Sequence, residues 1–464
     1  MAINVEPAGS EAKKSGNAYR KPRLLFCANP ASGHAGPVLR VASELAALGF
    51  DITFLTGKDF HGAITKFGGR PLLIDDIAPE VMAEYQKMPA GMEKMMYGME
   101  RFFVRSAGEH ANKVYNALEM MNDEDPNWPI VIVNETSFTS THPLYLGAPP
   151  PKGMATRPPI LGLHIIPYIA TSRDTFPFGM GLAPDTTEEG RAKMQGAREL
   201  TKNGPFGALV GIQAEVMQKL GAVNYKPYDS IFDTWVLSHD TVLHMVPPSA
   251  EYTMSDVPEK FRFAGTPLPA AVKGDVSYPE FWDEVTSGKK KVVLAVQGTV
   301  STDYNQIILP TITGLAKRDD LLVVSILGIR GATLPADFAL PANTRVIDYF
   351  SYDLILPYTS VMVFNAGYGG FIHGVVHGVP MVMAGANEDK PDVAMRGEWA
   401  GVGVNLRTGD PTPGQLAEGV REILGNPKYK QRAMAIKKEN EEMNAIKVVE
   451  KAIYDLAGMQ ALAA

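Results

Sequence analysis

The feature that most constrains the fold of this chain is the alternation of short apolar runs with amphipathic stretches of helical period. After Lys21 the order is KPRLLFCANP, PVLRVASELAALGF and DITFLTG, which predicts a buried strand, a helix ended by Gly49 and a second strand. Further strand-like runs follow at PLLID (71–75), PIVIVNE (129–135), ILGLHII (160–166) and VLHMV (242–246). Such alternation predicts a parallel sheet covered by helices.

A second series of the same kind follows the Pro-, Ser- and Tyr-rich stretch VPPSAEYTMSDVPEK, which has the composition of a domain boundary. Its predicted strands are KVVLAVQG (291–298), LLVVSIL (321–327), TRVIDYF (344–350), VMVFNAG (361–367), VPMVMAG (379–385) and GVGVNL (401–406). Their spacing is that of a second doubly wound sheet.

The two series predict an α/β protein of two doubly wound, Rossmann-like domains. The length of 464 residues fits two domains, since a domain commonly has roughly 100–200 residues. We predict a disordered tail over residues 1–20, an N-terminal domain over 21–255, a C-terminal domain over 256–440 and a C-terminal helix over 441–464. Because such sheets bind ligands outside the carboxyl ends of their strands, the site is expected in a cleft between the domains.

Composition excludes several classes of protein. A net charge of −7 argues against a broad nucleic-acid-binding face. The single cysteine, Cys27, rules out an intrachain disulfide and fits a reducing compartment, so a cytoplasmic location is expected. The first twenty residues lack the apolar stretch of a secretion signal, and no apolar run reaches the ~18 residues of a membrane span.

The glycine-rich stretch NAGYGGFIHGVVHGVP (365–380) allows three interpretations. His373 and His377 share one helix face, as metal ligands do, but no third ligand candidate is close in sequence. A phosphate site explains more, because the glycines lie between a strand and a helix, where backbone N–H groups approach an anion. The third interpretation is a tight turn without a ligand.

The longer stretch VMVFNAGYGGFIHGVVHGVPMVMAGANEDKPDVA resembles the donor-binding box of the family-1 inverting sugar-nucleotide glycosyltransferases. The resemblance of the box covers about residues 344–406, and GVP followed by EDKP is its most specific part. The segment VVLAVQGTVSTD (292–303) resembles the strand and turn of the family near the donor phosphates, and SRDTFPFGMGLAP (172–184) resembles a bacterial and fungal subgroup that acts on small lipophilic acceptors. The resemblance implies the GT-B fold, with an N-terminal acceptor-binding and a C-terminal nucleotide-sugar-binding domain.

The resemblance also implies a set of donor-binding residues: Thr299, Tyr349, Phe350, Asn365, Gly367, Tyr368, Gly369, Gly370, His373, Glu388, Asp389 and Lys390. Asn365 occupies the position of a diphosphate-binding histidine, and an aromatic at 349 or 350 would stack on the base. His373 stands where plant members contact the ribose. Asp389 matches the residue that holds the sugar hydroxyls, and Lys390 replaces a frequent glutamine.

Catalysis is expected to depend on His34, in FCANPASGHAGP (26–37), which matches the family's general base. An imidazole titrates near neutral pH and can take the proton of an acceptor hydroxyl. Glu135, in VIVNETS, stands where the family keeps an aspartate that orients this base. The implied reaction is a single displacement with inversion, with a UDP-sugar as co-substrate and neither a cofactor nor a metal.

The acceptor pocket is expected in the N-terminal domain. Its candidate residues are Met95, Phe102, Phe103, Thr136, Phe176 and Phe178. Such a lining suits a small lipophilic alcohol, for example a phenol, a flavonoid or a polyketide. The Met and Phe residues of MPAGMEKMMYGMERFF (88–103) could instead be core.

Other functions account for less of the sequence. A nicotinamide oxidoreductase should show G-x-G-x-x-G after its first strand, and NPASGHAG lacks that spacing. A non-catalytic helper of the same fold would not need His34 and Glu135. A sterol or lipid glycosyltransferase should have a basic docking surface. Asp123 and Asp125 form a D-x-D that we assign to a solvated loop. We expect a monomer, without nucleic-acid partners or stable membrane insertion.

Overall fold

The strands form two parallel sheets. The computed structural model of the protein describes residues 20–75, 77–89, 91–269, 276–298 and 303–459. The first half contains β1 (Arg23–Cys27), β2 (Ile52–Thr56), β3 (Arg70–Leu73), β4 (Ile130–Glu135), β5 (Ile160–His164), β6 (Thr241–His244) and β7 (Phe261–Phe263). The second half contains β8 (Lys291–Val296), β9 (Leu321–Ile326), β10 (Thr344–Ile347), β11 (Thr359–Phe364), β12 (Met381–Met383) and β13 (Gly403–Asn405).

The two sheets share one strand order over six strands, and the first sheet has β7 as a seventh strand. The first has the order β3-β2-β1-β4-β5-β6-β7 and the second β10-β9-β8-β11-β12-β13, and neighbouring strands are parallel throughout. The order reverses direction between β1 and β4 and again between β8 and β11. These are the switch points at which doubly wound sheets bind ligands. The prediction of two Rossmann-like, doubly wound units is therefore confirmed.

Helices cover the sheets. Those of the first half are α1 (Ser32–Ala47), α2 (His61–Lys66), α3 (Pro79–Lys87), α4 (Met92–Gly98), α5 (Ser106–Glu124), α6 (His142–Tyr145), α7 (Glu188–Lys202), α8 (Pro205–Lys219) and α9 (Ile231–Leu237), with a π-helix at Met99–Val104 before α5. Those of the second half are α10 (Trp282–Thr286), α11 (Ile308–Leu315), α12 (Tyr352–Ile355), α13 (Tyr368–His377), α14 (Lys390–Trp399), α15 (Pro413–Gly425), α16 (Lys428–Met443) and α17 (Ala445–Leu456).

The central strands are apolar because both of their faces are buried. All residues of β1, β4 and β9 are buried, which explains why their sequences show continuous apolar runs rather than alternation. Polar side chains appear where these strands end, as at Glu135 in β4. The polar residues at the carboxyl ends therefore gather along one edge of each sheet.

The first sheet extends beyond the predicted boundary after residue 255. β7 pairs with β6, so residues up to Phe263 belong to the N-terminal sheet. The stretch VPPSAEYTMSDVPEK is not a linker, since Glu251 and Tyr252 within it are buried. Proline and serine here shape a packed connection between two strands of one sheet.

The C-terminal helix begins later than predicted and packs on the other half of the molecule. Asn444 has a φ of +53° and separates α16 from α17. Val449, Ile453 and Tyr454 of α17 join the apolar core under α1 and β1. Where the chain passes between the halves, the side chain of Asn440 accepts from the backbone N–H of Thr266 at 2.7 Å and donates to its carbonyl at 3.0 Å.

None of the helices within the described ranges is both long enough and apolar enough to cross a membrane. The predicted tail over residues 1–20 lies outside these ranges except for its last residue.

Candidate functional site

The predicted catalytic pair lies at the switch point of the first sheet. His34 is in the first turn of α1, directly after β1, and Glu135 ends the neighbouring strand β4. Nδ1 of His34 is 3.3 Å from Oε2 of Glu135 and 3.1 Å from Oγ of Ser137. The structure therefore brings together two residues that are far apart in the sequence.

Glu135 is fully buried and held by a set of donors. Its Oε1 accepts from the backbone N–H of Ser137 at 2.9 Å, and its Oε2 accepts from Ser137 Oγ at 2.8 Å and Asn29 Nδ2 at 3.0 Å. Burial alone would raise the pKa of Glu135, but the charge of His34 and the hydrogen bonds of His34 and Ser137 lower it below its ordinary value. The group is therefore a carboxylate at neutral pH.

His34 is oriented by this carboxylate. Burial lowers the pKa of the imidazole, but the charge and hydrogen bond of Glu135 and the charge of Asp389 outweigh it, so the pKa lies above its ordinary value. Because Nδ1 faces Glu135 and Ser137, Nε2 is the nitrogen available to a substrate. The side chain of His34 keeps 21% of its surface exposed. The arrangement is that of a general base with an orienting carboxylate.

The second sheet presents backbone rather than side chains at its switch point. Between β11 and α13, Asn365 donates to the carbonyl of Gln297 at 2.9 Å and thereby joins the ends of β11 and β8. Ala366 is buried and has a φ of +58°, a conformation that is strained for a residue with a side chain. No side chain caps the N-terminus of α13 within the described residues. Its first N–H groups can therefore bind an anion.

The glycines of this turn have different roles. A Cβ at Gly369 would meet no atom within 4 Å, and one at Gly367 would meet only Asn365 Oδ1 at 3.6 Å. A Cβ at Gly370, in contrast, would lie 2.8 Å from the ring of Phe364. Gly370 therefore allows α13 to pack on β11, whereas Gly367 and Gly369 leave open space. The side chain of Tyr368 is buried in the core, so only its backbone faces this space.

The structure separates the two predicted base-stacking aromatics. Phe350 is buried in the core, with its ring 5.4 Å from that of Trp282. Tyr349 is 43% exposed, and the guanidinium of Arg330 lies 4.2 Å from its ring centroid. Tyr349 is thus the aromatic that a base can reach. The predicted residue Thr299 lies outside the described residues.

His373 and His377 share a partner that the sequence did not reveal. Nδ1 of His373 and Nε2 of His377 are 3.2 and 2.9 Å from Oδ1 of Asp353, on the packed helix α12. Burial raises the pKa of Asp353, but the two imidazoles hold it well below its ordinary value. The contacts fix the ring of His373. The three ligand atoms lie within 4.8 Å of one another and could also hold a divalent ion.

Residues 388–390 of the second half interact electrostatically with groups of the first half, His34 among them. Burial raises the pKa of Asp389 to about 6, and the charge of Asp389 in turn raises the pKa of His34. Glu388 has a φ of +57° and forms an ion pair with Lys390. Its charge also adds to the effect of burial in raising the pKa of Tyr85, in α3. The charges of Asp389 and Glu388 are thus close enough to the first half to raise the pKa of groups in it.

The predicted acceptor residues fall into several groups. Phe103 lies beside His34, with ring centroids 5.5 Å apart, and packs on Trp235 at 5.3 Å. Phe102, from the same π-helix, packs on Tyr85 at 5.0 Å, and Met95 is half-buried in the preceding helix. Phe176 and Phe178 line a cavity of about 250 Å³.

Thr136 does not line an acceptor surface, although it follows the strand of Glu135. The residue is fully buried, and its Oγ1 is 2.9 Å from Nδ1 of His164 inside the first sheet. Sequence reasoning also missed Asn29, Ser137, Trp235 and Asp353. Asn29 and Ser137 each lie two residues after the end of a strand, β1 and β4 respectively, so the polar residues that follow these strands were the available signal.

Comparison with known proteins agrees with this geometry. The family "Erythromycin biosynthesis protein CIII-like, C-terminal domain" matches residues 312–453. The chain is 42% identical to UDP-glucosyltransferase 1 of Beauveria bassiana, covering 94% of this chain and 96% of that protein. It is 34% identical to UDP-glucosyltransferase B1 of Starmerella bombicola, covering 95% and 100%.

Among solved structures, the glycotransferase of kitacinnamycin superposes with a TM-score of 0.69 at 19% identity, covering 94% of this chain and all of that one. The likeness shows the same GT-B fold. Taken together with the relatives, these matches mean that the chain belongs to the family-1 UDP-glycosyltransferases.

Proposed function

We propose that this enzyme transfers a hexose, in the first instance glucose, from its UDP derivative to a hydroxyl of a small hydrophobic or aromatic acceptor and forms a β-O-glycoside. The observation that carries the proposal is the pair His34 and Glu135, whose Nδ1 and Oε2 atoms are 3.3 Å apart, with the charge of Asp389 from the second half raising the pKa of His34. Acceptors of this class include phenols, flavonoids and polyketides.

In the proposed reaction, Nε2 of His34 takes the proton of the acceptor hydroxyl while the oxygen attacks the anomeric carbon. The bond from that carbon to the diphosphate breaks, and UDP leaves with the electron pair. Glu135 stabilises the imidazolium that forms, and Ser137 and Asn29 hold Glu135 in place. Attack on the face opposite the leaving group inverts an α-linked donor to a β-glycoside.

The charge of the leaving diphosphate would be offset by backbone donors. The uncapped N-terminus of α13 and the open space at Gly367 and Gly369 supply N–H groups at the end of β11. Such donors need no metal, so we propose a metal-independent reaction. Asp389 and Lys390 would bind sugar hydroxyls, Tyr349 the base and His373 the ribose.

The names of two relatives support the choice of donor. The relatives from Beauveria bassiana and Starmerella bombicola are both named UDP-glucosyltransferases, which favours UDP-glucose over other nucleotide sugars. The acceptor class is supported by aromatic side chains, because Phe103 lies next to His34 and packs in turn on Trp235. The buried, single Cys27 is compatible with a cytoplasmic enzyme, and we propose a monomer.

The test is an assay of the purified chain with UDP-glucose, UDP-galactose, UDP-glucuronate and TDP-glucose against a panel of phenols, flavonoids and polyketides. We expect glucosylated products from UDP-glucose, and a β anomeric proton by NMR. An α product would disprove the inverting mechanism. EDTA should leave the rate unchanged, and a loss that Mg²⁺ or Zn²⁺ restores would contradict the metal-independent step.

A further inference from the structure

We propose that Asp392 is a positioning residue that fixes the acceptor loop, defined as residues 172–181, relative to the donor sugar. The inference rests on the proposed function and on the predicted acceptor residues Phe176 and Phe178, which belong to this loop and line a cavity of about 250 Å³. Asp392 belongs to the donor half of the molecule, whereas the loop belongs to the acceptor half. The contact therefore links the two substrates.

The tip of the acceptor loop is held by the Asp392 carboxylate. Its Oδ2 accepts from the backbone N–H of Gly179 at 2.7 Å and its Oδ1 from that of Gly181 at 3.2 Å. Asp392 is only 7% exposed. Gly181 has a φ of +58°, and a Cβ there would lie 2.7 Å from Cβ of Pro391. The loop backbone thus lies directly against the first turn of α14.

The segment leading into the loop is held by the next turn of the same helix. Nη2 of Arg396 donates to the carbonyl of Tyr168 at 2.6 Å, and its Nε donates to Oε1 of Glu251 at 2.6 Å. The guanidinium lies 4.3 Å from the ring centroid of Tyr252. Arg396 and Glu251 are both buried, so this charge pair is shielded from water. Asp392 and Arg396, four residues apart, share one face of α14.

The helix that holds the acceptor loop also begins at the predicted sugar site. Asp389 directly precedes α14, and three residues along a helix span about 5 Å. A sugar held by Asp389 and a loop held by Asp392 are therefore fixed to one short rigid segment. Transfer requires the acceptor oxygen within about 3–3.5 Å of the anomeric carbon, so this common attachment controls productive alignment.

The chain contains a matched control for Asp392. Asp256 also accepts from the acceptor loop, with Oδ1 bonded to Ser172 Oγ at 2.6 Å and Oδ2 bonded to the backbone N–H of Arg173 at 2.7 Å. Asp256 lies between β6 and β7 and therefore belongs to the acceptor half itself. Its contacts hold the base of the loop without reaching the donor half.

The experiment compares Asp392→Asn with Asp256→Asn in the full chain, using UDP-glucose and one phenol that the wild-type enzyme glucosylates. Asparagine keeps the shape but loses the charge and one acceptor. Asp392→Asn should raise the acceptor KM about tenfold and change the Kd for UDP less than about twofold. It should also raise the share of UDP released with free glucose, because water then reacts in place of the misplaced acceptor. Asp256→Asn should keep the wild-type share.

The proposal would be overturned if Asp392→Asn released the same share of free glucose as the wild-type enzyme and kept the wild-type acceptor KM. It would also be overturned if Asp392→Asn and Asp256→Asn changed these two quantities equally. If Asp392→Asn fails to fold, Gly181→Ala displaces the loop tip from Pro391 and should change both quantities in the same direction. The variant Phe178→Ala distinguishes a failure of the proposed acceptor pocket from a failure of the role of Asp392. An unchanged acceptor KM in Phe178→Ala would contradict the pocket. A raised acceptor KM in Phe178→Ala together with wild-type behaviour of Asp392→Asn would contradict only the role of Asp392.

Discussion

The turn after β1 and the turn after β11 each flank the switch point of their sheet, yet the two turns are built differently. The first turn supplies the side chains of Asn29 and His34, which form a connected set of hydrogen bonds with Glu135 and Ser137 at the end of β4. The second turn supplies backbone N–H groups, because Ala366 has a strained conformation, the glycines leave open space beside them and no side chain caps the helix that follows. Proton transfer requires a titratable group, whereas anion binding requires only N–H groups, so one topology serves both tasks.

The largest effect should come from removing His34, the base that we assign to the first turn, because this tests whether the two turns have different tasks. We expect His34→Ala to lower kcat about 10²- to 10⁴-fold while the Kd for UDP stays within about twofold, because the base acts on the acceptor and not on the diphosphate. Steady-state kinetics and calorimetry with UDP measure the two effects. His61→Ala, at the start of α2, is the control and should keep full activity. Equal transfer by His34→Ala would refute the assignment.

A smaller effect should follow from removing the charge of Glu135. We expect Glu135→Gln to lower kcat/KM by about 10²-fold, because an uncharged amide stabilises the imidazolium less. The charge of Glu135 raises the pKa of His34, and the base acts when deprotonated, so wild-type activity falls as the pH drops through that raised pKa. The variant should have a lower His34 pKa.

The acid limb of the pH profile of Glu135→Gln should therefore move to lower pH, and the maximum value of kcat/KM should be lower than that of the wild-type enzyme. A pH profile of kcat/KM measured for both proteins checks the shift. Glu135→Asp keeps the charge and should retain the position of the wild-type limb. A limb that does not move in Glu135→Gln would mean that another group titrates.

The smallest effects should separate two neighbouring glycines of the second turn. Gly369→Val fills open space and should weaken UDP binding about tenfold without lowering the melting temperature. Gly370→Ala forces a Cβ against Phe364 and should destabilise the fold by about 1–3 kcal/mol. Calorimetry and thermal unfolding measure the pair. Reversed results would mean that position 370, and not 369, faces the donor.

The sequence predicted the sheets better than their edges. Continuous apolar runs identify buried parallel strands, and the two series matched the two sheets. β7 was missed because it has three residues, one of them the exposed Arg262, and follows a proline-rich stretch. The amphipathic pattern of α17 shows that one face is buried, but a local pattern cannot tell which half of the molecule buries it.

The family resemblance supplied positions, such as His34 and Glu135, that the structure places close together, whereas contacts that only folding creates could not be predicted. His34 and Glu135 are 101 positions apart in the chain and adjacent in space. Asp353 could not be connected with His373 because the two lie on different helices. Thr136 and Phe350 follow or end strand-like runs, where the sequence does not determine which side chain points into the core.

The hydrogen bonds between Thr266 and Asn440 have a mechanical consequence. The chain leaves the first half near Thr266 and returns to it after Asn440, and these two passages are tied to each other at one spot. A rotation of one half against the other disturbs the backbone least when its axis passes through that spot. A rotation of that kind that widens the space between the halves must also break the hydrogen bonds by which Asp392 of α14 holds the acceptor loop.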